Sequence, residues 1–260
     1  MDDVLEQYAD ELGVLVTSHP KQHIFMDQAF ASWAGYPGFM LLGYDHTDTD
    51  DLPIGRWTPP ISETFVTGKP AGHWGHFRGE LWQLKLGGQL LAERGCKYIY
   101  KTAADNCCYR WRNLKRIFKV LHGKEKYDLI ICGTTQIFGK LDVFNQCMDL
   151  WSESVTRCGG AELFLNHCIR QLKPNVCYMK VGWWHEILGL IHLQGEYAAN
   201  TGMSIFDTWA IGQQWGALYR HPDLDPRIKF LQPEIRSRYE RSIRENKTGS
   251  GLHGPVLPDP

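Results

Sequence analysis

The side chains best placed to do chemistry stand behind three short apolar runs. Gly13 to Thr17 leads into Ser18-His19-Pro20, Phe39 to Tyr44 leads into Asp45-His46, and Lys97-Tyr-Ile-Tyr-Lys-Thr102 leads into Ala103-Ala104-Asp105-Asn106. Ligands of open α/β sheets bind outside the carboxyl ends of the strands, so polar residues leaving such runs are the first place to look for a site. Asp45 and Asp105 also have a plainer reading, because Asp and Asn make turns without any ligand. Trp183-Trp184-His185 offers flat aromatic faces of the kind that stack on sugar rings. Large aromatics equally fill cores, and at least one of the two tryptophans is expected inside. Arg78 stands at the start of a helical pattern, where a guanidinium can pair with an anion. Lys85, one residue beyond the apolar row Leu81, Leu84, Leu91, could do the same or snorkel to solvent.

Several chemistries are excluded by what is missing. There is no G-x-G-x-x-G and no G-x-x-x-x-G-K-[ST], so neither a dinucleotide fingerprint nor a P-loop is present. Eight cysteines occur without any C-x-x-C spacing, which removes the zinc patterns recognisable from sequence. The 28 basic and 29 acidic residues give a formal charge of −1, against a protein held to nucleic acid by phosphate neutralisation, although a local basic patch could hide in that total. No apolar run approaches the ~20 residues of a bilayer span. The acidic start Met1-Asp2-Asp3 is the wrong charge for a targeting peptide, so a cytoplasmic chain with reduced cysteines is expected.

Positioning these residues requires alternating strands and helices. Strands are predicted at 13–17, 39–44, 97–102, 127–132 and 176–181. Helices are predicted at 24–34, 77–94, 111–121, 141–151, 162–172 and 204–219, each from apolar residues recurring at steps of three and four. Gly95 fits just past a helix end. The proline- and glycine-rich stretch 52–76 has no sustained period and reads as a long loop, a candidate lid. Pro233 to Glu245 is charged and reads as a solvated helix, and 247–260 as a flexible tail. The alternation indicates an α/β fold with a mostly parallel central sheet flanked by helices, one domain over 1–232 with the tail over 233–260.

The order and spacing of several segments resemble the nucleotide-sugar-dependent glycosyltransferases of the GT-A fold. They are Val14-Leu-Val-Thr-Ser-His-Pro20, Leu41-Leu-Gly-Tyr-Asp45, the run from Arg78 to Gly95, Tyr98-Ile-Tyr-Lys-Thr-Ala-Ala-Asp-Asn106, Cys132-Gly-Thr-Thr-Gln-Ile-Phe-Gly-Lys140 and Cys158-Gly-Gly-Ala-Glu162. Together they span about residues 13–180. The resemblance implies transfer of a hexose from a nucleoside-diphosphate sugar, such as UDP-glucose, to a glycan or other hydroxyl acceptor. It implies a manganese or magnesium ion on the donor diphosphate, because hard cations take oxygen ligands and neutralise the leaving phosphate. In that family an Asp-x-Asp motif holds the ion. Here the motif position reads Ala103-Ala104-Asp105, so the first carboxylate is absent and Asn106 could add an oxygen.

The resemblance also distributes roles. Thr17, His19 and Asp45 would hold the nucleoside, and Arg78, Lys85, Asp105 and Asn106 the diphosphate. Trp183, Trp184 and His185 would meet the acceptor. His192, or else His185, would complete the metal shell. Glu162 would be the catalytic base, with Asp105 the other catalytic group, although a carboxylate in a first helical turn is favoured by the helix dipole alone. Two other readings stay open. A sugar-nucleotide nucleotidyltransferase would carry a glycine-rich basic loop after the first strand, where this chain has Thr17-Ser-His-Pro-Lys-Gln22. A degenerate relative could keep the nucleotide pocket and have lost turnover with the first carboxylate.

Overall fold

A computed structural model of the chain describes residues 8, 10–19, 22–50, 52–69, 76–132, 136–150 and 161–193. The first apolar run forms β1 (Leu12–Ser18), and all seven of its residues are buried. A strand without polar alternation is what a sheet covered on both faces demands. β1 pairs in parallel with β2 (Phe39–Tyr44) on one side and with β4 (Tyr98–Ala103) on the other. β3 (Glu63–Val66) adds to β2, again in parallel. β7 (Gln136–Lys140) runs antiparallel between β4 and β6 (Leu129–Cys132), and β8 (Val176–Tyr178) is parallel to β6. The seven-stranded order is β3-β2-β1-β4-β7-β6-β8, with β7 alone reversed. This is the mostly parallel α/β sheet the sequence predicts. A separate two-stranded ladder joins β5 (Asn106–Cys108) to β9 (Leu190–His192).

Helices cover both faces because each strand sends alternate residues to opposite sides. On one face, α1 (His23–Ala31) and α3 (Leu114–Leu121) pack with Val14, Val16, Met40, Leu42, Tyr44 and Tyr100 into an aromatic core that includes Trp33 and Phe118. α6 (Val181–Leu188) supplies Trp184 and Leu188 to the same core. On the other face, α2 (His76–Glu93), α4 (Leu141–Asp149) and α5 (Ala161–Leu172) close over Leu15, Leu41, Ile99 and Ile131. Each fully buried Leu or Phe contributes about 1.5–3 kcal/mol to holding these layers. Gly87 lets α2 settle on β1, since a Cβ there would stand 2.5 Å from Leu15 Cδ1. α2 ends where Gly95 takes φ +81°, the left-handed turn that glycine supplies at a helix terminus.

The structure departs from the sequence reading at short elements. The stretch 52–76, expected to be loop, carries β3, four half-buried residues at the sheet edge and too brief to show alternation. It also carries a 3₁₀ turn over Ile54–Trp57, clamped where Trp57 Nε1 donates to Asp27 Oδ1 at 2.7 Å and Arg56 reaches Asp27 Oδ2 at 2.9 Å. Of the proposed lid, 70–75 lie outside the described residues. The strands β5, β7 and β9 were not anticipated. The helix expected over 111–121 begins as a 3₁₀ turn at Trp111–Asn113, and the aromatic stretch after Met179 forms α6. The predicted helix 204–219 and the tail lie outside the described residues.

None of the seven described cysteines is joined in a disulfide. Burial pushes the Cys147 thiol up to about 11 and raises those of Cys96 and Cys108, which keeps them protonated at neutral pH. Among the described residues, no helix is long and apolar enough to cross a membrane.

The β6–β7 contact is the tightest backbone approach in the sheet that a side chain would break. A Cβ at Gly139 would overlap the carbonyl oxygen of Asp128 and press on Leu129. Gly139→Ala is expected to lower the urea-unfolding free energy by about 2 kcal/mol. Gly55→Ala, at a position open to solvent on all sides, should leave the midpoint within a few tenths of a kcal/mol.

Candidate functional site at the strand exits

The sheet has one topological switch point, between β1 and β4. From β1 the chain order proceeds outward to β2 and β3 on one side, and β4 starts the other side. A crevice opens outside the carboxyl ends at such a point. Here the register places Thr17 beside both Gly43 and Ala103. The Thr17 carbonyl accepts from Ala104 N at 2.9 Å, and the Ser18 carbonyl accepts from Asp45 N at 3.1 Å. The three polar exits singled out in the sequence therefore lie side by side.

Asp45 is buried, and its carboxylate has protein partners. Thr67 Oγ1 donates to Oδ1 at 3.0 Å, and His19 Nε2 stands 3.8 Å from Oδ2. The first turn of α2 rests directly on it, because a Cβ at Gly79 would be 2.5 Å from Asp45 Oδ2. The positive end of a helix dipole facing a carboxylate is a favourable pairing. Arg78 is the third residue of that helix, so its backbone belongs to the same corner. Thr17 is buried and donates to the Thr102 carbonyl at 3.4 Å. Of Thr17, His19 and Asp45, His19 is the one that presents side-chain surface, 18% exposed.

Asp105 and Asn106 follow β4 and are both buried, with Asn106 Nδ2 donating to Asp105 Oδ1 at 3.3 Å. β9 crosses over this exit. Its His192 stands opposite Asn106 in the antiparallel ladder, and Leu193 N donates to the Asp105 carbonyl at 3.0 Å. The fold thus brings together two residues 87 positions apart that the sequence reading assigned to one metal shell. Among the described residues no three His, Cys, Asp or Glu cluster as a metal cage. Magnesium in phosphate-handling sites is held by one or two carboxylates, with phosphates and water completing the shell. Asp105 with the Asn106 amide fits that sparse donor set. It does not fit a cation caged by protein alone.

Other predicted residues fall elsewhere. Lys85 lies between α2 and α4, 3.9 Å from Asp149 Oδ1, away from the strand exits. Trp184 is fully buried with its ring stacked on Tyr100 at 6.0 Å, so its faces serve the core. Trp183 is half-buried, edge-on to Trp184. His185 is on α6 beside them. Glu162 is the second residue of α5. That helix leads into β8, which runs with the parallel strands, so its start lies at the carboxyl edge of the sheet.

The sequence reading missed the polar groups beneath this edge. Lys101 is completely buried inside β4, and its Nζ meets Glu80 Oε1 of α2 at 2.5 Å. Gln83 Oε1 accepts from Ser18 N at 2.8 Å, tying α2 to the end of β1. On the opposite face Tyr100 donates its hydroxyl to Gln136 Oε1, and Gln136 Nε2 reaches Thr102 Oγ1 at 3.2 Å. A signal existed: a lysine inside the apolar run Tyr98 to Thr102 must find a partner when the strand is covered on both faces.

No family model and no curated protein matches the chain. Solved structures similar to it include the following two. One, from Desulfovibrio desulfuricans G20 and described as a nucleotide-diphospho-sugar transferase, shares 15% identity at a TM-score of 0.46 over 78% of this chain and 95% of its own. The other, a 4-diphosphocytidyl-2C-methyl-D-erythritol synthase, shares 9% identity at a TM-score of 0.46 over 65% of this chain and 87% of its own.

The pairing of buried Lys101 with half-buried Glu80 yields a test of the site's support. Glu80→Gln leaves the Lys101 ammonium without its carboxylate and is expected to cost about 3 kcal/mol or more in equilibrium unfolding. The double variant Lys101→Met/Glu80→Leu removes both charges and should recover most of that loss. Equal stability of Glu80→Gln and the native chain would show that the pair carries no weight.

Proposed function

We propose that the chain is a GT-A-like glycosyltransferase that moves a hexose from a nucleoside-diphosphate sugar, with UDP the expected base, to a hydroxyl acceptor. The observation that carries this reading is the convergence at the β1/β4 switch point. His19, Asp45, Asp105 and the α2 amino terminus with Arg78 share one edge of the sheet, and His192 is folded back onto Asn106.

In this reading the nucleoside rests against His19, which Asp45 orients from behind, on a floor formed by Thr17. The diphosphate lies between the start of α2, where Arg78 and unpaired helix N–H groups favour an anion, and Asp105. Asp105, Asn106 and His192 would hold a manganese or magnesium ion, which when bound neutralises charge on the departing nucleoside diphosphate. Glu162, at the start of α5, would take the proton of the attacking acceptor hydroxyl, a role suited to a carboxylate on a rigid helix start. The acceptor would approach past Trp183 and His185. Trp184 would act from the core as their support. Lys85 has no part in the donor site in this arrangement.

The missing first carboxylate favours one second reading, a nucleotide-sugar-binding protein without turnover. Thermal-shift measurements with UDP, GDP, CDP and their sugars, with and without manganese, separate the cases, because a ligand of the native state alone raises the melting temperature. A UDP-selective, metal-dependent rise accompanied by UDP-sugar turnover is the expected result. Asp105→Asn should then abolish the metal-dependent part of the shift and slow turnover by about two orders of magnitude. A shift without turnover across a broad acceptor panel would favour the binding protein. No shift with any nucleotide would remove the donor site.

A further inference from the structure

The near-neutral charge of the chain conceals one strongly basic surface. Between Arg110 and Lys126 the sequence holds seven Lys and Arg residues and one acid, Glu125. α3 divides them cleanly. Leu114, Ile117, Phe118 and Leu121 are buried in the aromatic core. Lys115, Arg116 and Lys119 fall on the opposite side of a helix of 3.6 residues per turn, and Arg112 precedes them in the 3₁₀ turn. Arg112, Arg116 and Lys119 are exposed and Lys115 is half-buried. Lys124 and Lys126 prolong the surface beyond the helix, both exposed.

These charges stand in an unfavourable arrangement for a helix in water. Like charges three and four residues apart repel, and the 112/115, 112/116, 115/119 and 116/119 pairs all have this spacing. Lys115 and Arg116 sit in the first turn of α3, where no acidic residue offsets them and where the dipole disfavours cations. Elsewhere Arg56, Arg94, Lys97 and Lys140 each have a carboxylate partner. Among the described residues none pairs with Lys115, Arg116, Lys119, Lys124 or Lys126.

We propose that this face docks on an anionic membrane surface, held by the headgroups of acidic lipids. A polyanion relieves the repulsion that the helix otherwise carries. The charges lie on a helix whose apolar side is already packed in the core, which suits a diffuse field of negative charge and calls for no insertion. Binding of single-stranded nucleic acid needs aromatic platforms beside the cations, and here Trp111 is buried beneath Arg112, whose guanidinium covers its ring at 4.3 Å. This inference is independent of the transferase reading, since none of its residues belongs to the strand-exit site.

Co-flotation of the full chain with phosphatidylcholine vesicles, with and without phosphatidylserine, tests it. Binding is expected to the phosphatidylserine vesicles alone and to weaken as salt rises, because screening shortens the reach of surface charge. Each basic residue near such a surface strengthens binding roughly fivefold, so Lys115→Glu/Lys119→Glu should weaken it by roughly twenty-five-fold or more. Lys69→Glu/Lys173→Glu changes net charge equally at exposed positions outside this surface and should retain most of the binding. Melting temperatures of both variants check that the fold persists, and the gentler Lys115→Gln/Lys119→Gln replaces the first should it unfold. Failure to bind phosphatidylserine vesicles at low salt, equal loss in both double variants, or binding to single-stranded DNA or RNA in preference to vesicles would overturn the proposal.

Discussion

The structure depends on β1 being buried from end to end. Its seven residues have helices above and below and a parallel neighbour on each side, so no polar side chain can be carried before Thr17 without a partner. That constraint exports polarity to the carboxyl end. It also fixes the neighbours of whatever emerges there, because β2 and β4 are held in register with β1 and release Asp45 and Asp105 at the same edge. The crevice between β1 and β4 is thus a consequence of chain order: two strands that are adjacent in space send their connections in opposite directions. A ligand that needs groups from several segments finds them there without any one segment having to bend.

The second condition is that polar groups below the edge be satisfied. Lys101 inside β4 is tolerable because Glu80 arrives from α2, and α2 can arrive because Gly79, Gly87 and Gly88 leave room for Asp45, Leu15 and Phe144. Gln83 then binds Ser18 N at the point where β1 runs out of ladder partners. One helix therefore serves three functions at once: it covers an apolar face, neutralises an internal cation, and points its amino terminus at the exits. The connected polar side chains Tyr100, Gln136 and Thr102 do the corresponding work on the opposite face.

Long periodic elements were legible in the sequence, and short or paired ones were not. β1, β2, α2 and α4 follow from apolar runs or steps of three and four, and they suffice for the mostly parallel sheet and its polar exits. β3, β5 and β9 have four, three and three residues, below the length at which alternation can be distinguished from chance. β7 is reversed, and nothing local announces strand direction. The proximity of His192 to Asn106 follows from the β5–β9 ladder, a pairing across more than eighty residues that no spacing rule encodes. Lys85 and Trp184 show the converse error. Each has a side chain suited to a ligand, and each is taken by the protein itself, by Asp149 and by Tyr100. Residue type announces capacity, and only packing decides whether a side chain is available.

The absence of a carboxylate at position 103 has a physical setting. Successive strand residues alternate faces, so Ala103 shares the face of Lys101. On that face α2 supplies Glu80, and its charge is matched against a lysine with no exposure of its own. Recruiting Glu80 to a cation would take that carboxylate away from a buried ammonium, a cost several kcal/mol in size. On the transferase reading, the donor's negative charge must therefore be met by Asp105 with a cation sharing its shell with phosphate, and by the amino terminus of α2 with Arg78. Such a centre would hold metal weakly until the diphosphate arrives, because the phosphate supplies ligands that the protein lacks. On that reading the order of binding would follow from the few oxygen ligands that Asp105 and Asn106 offer.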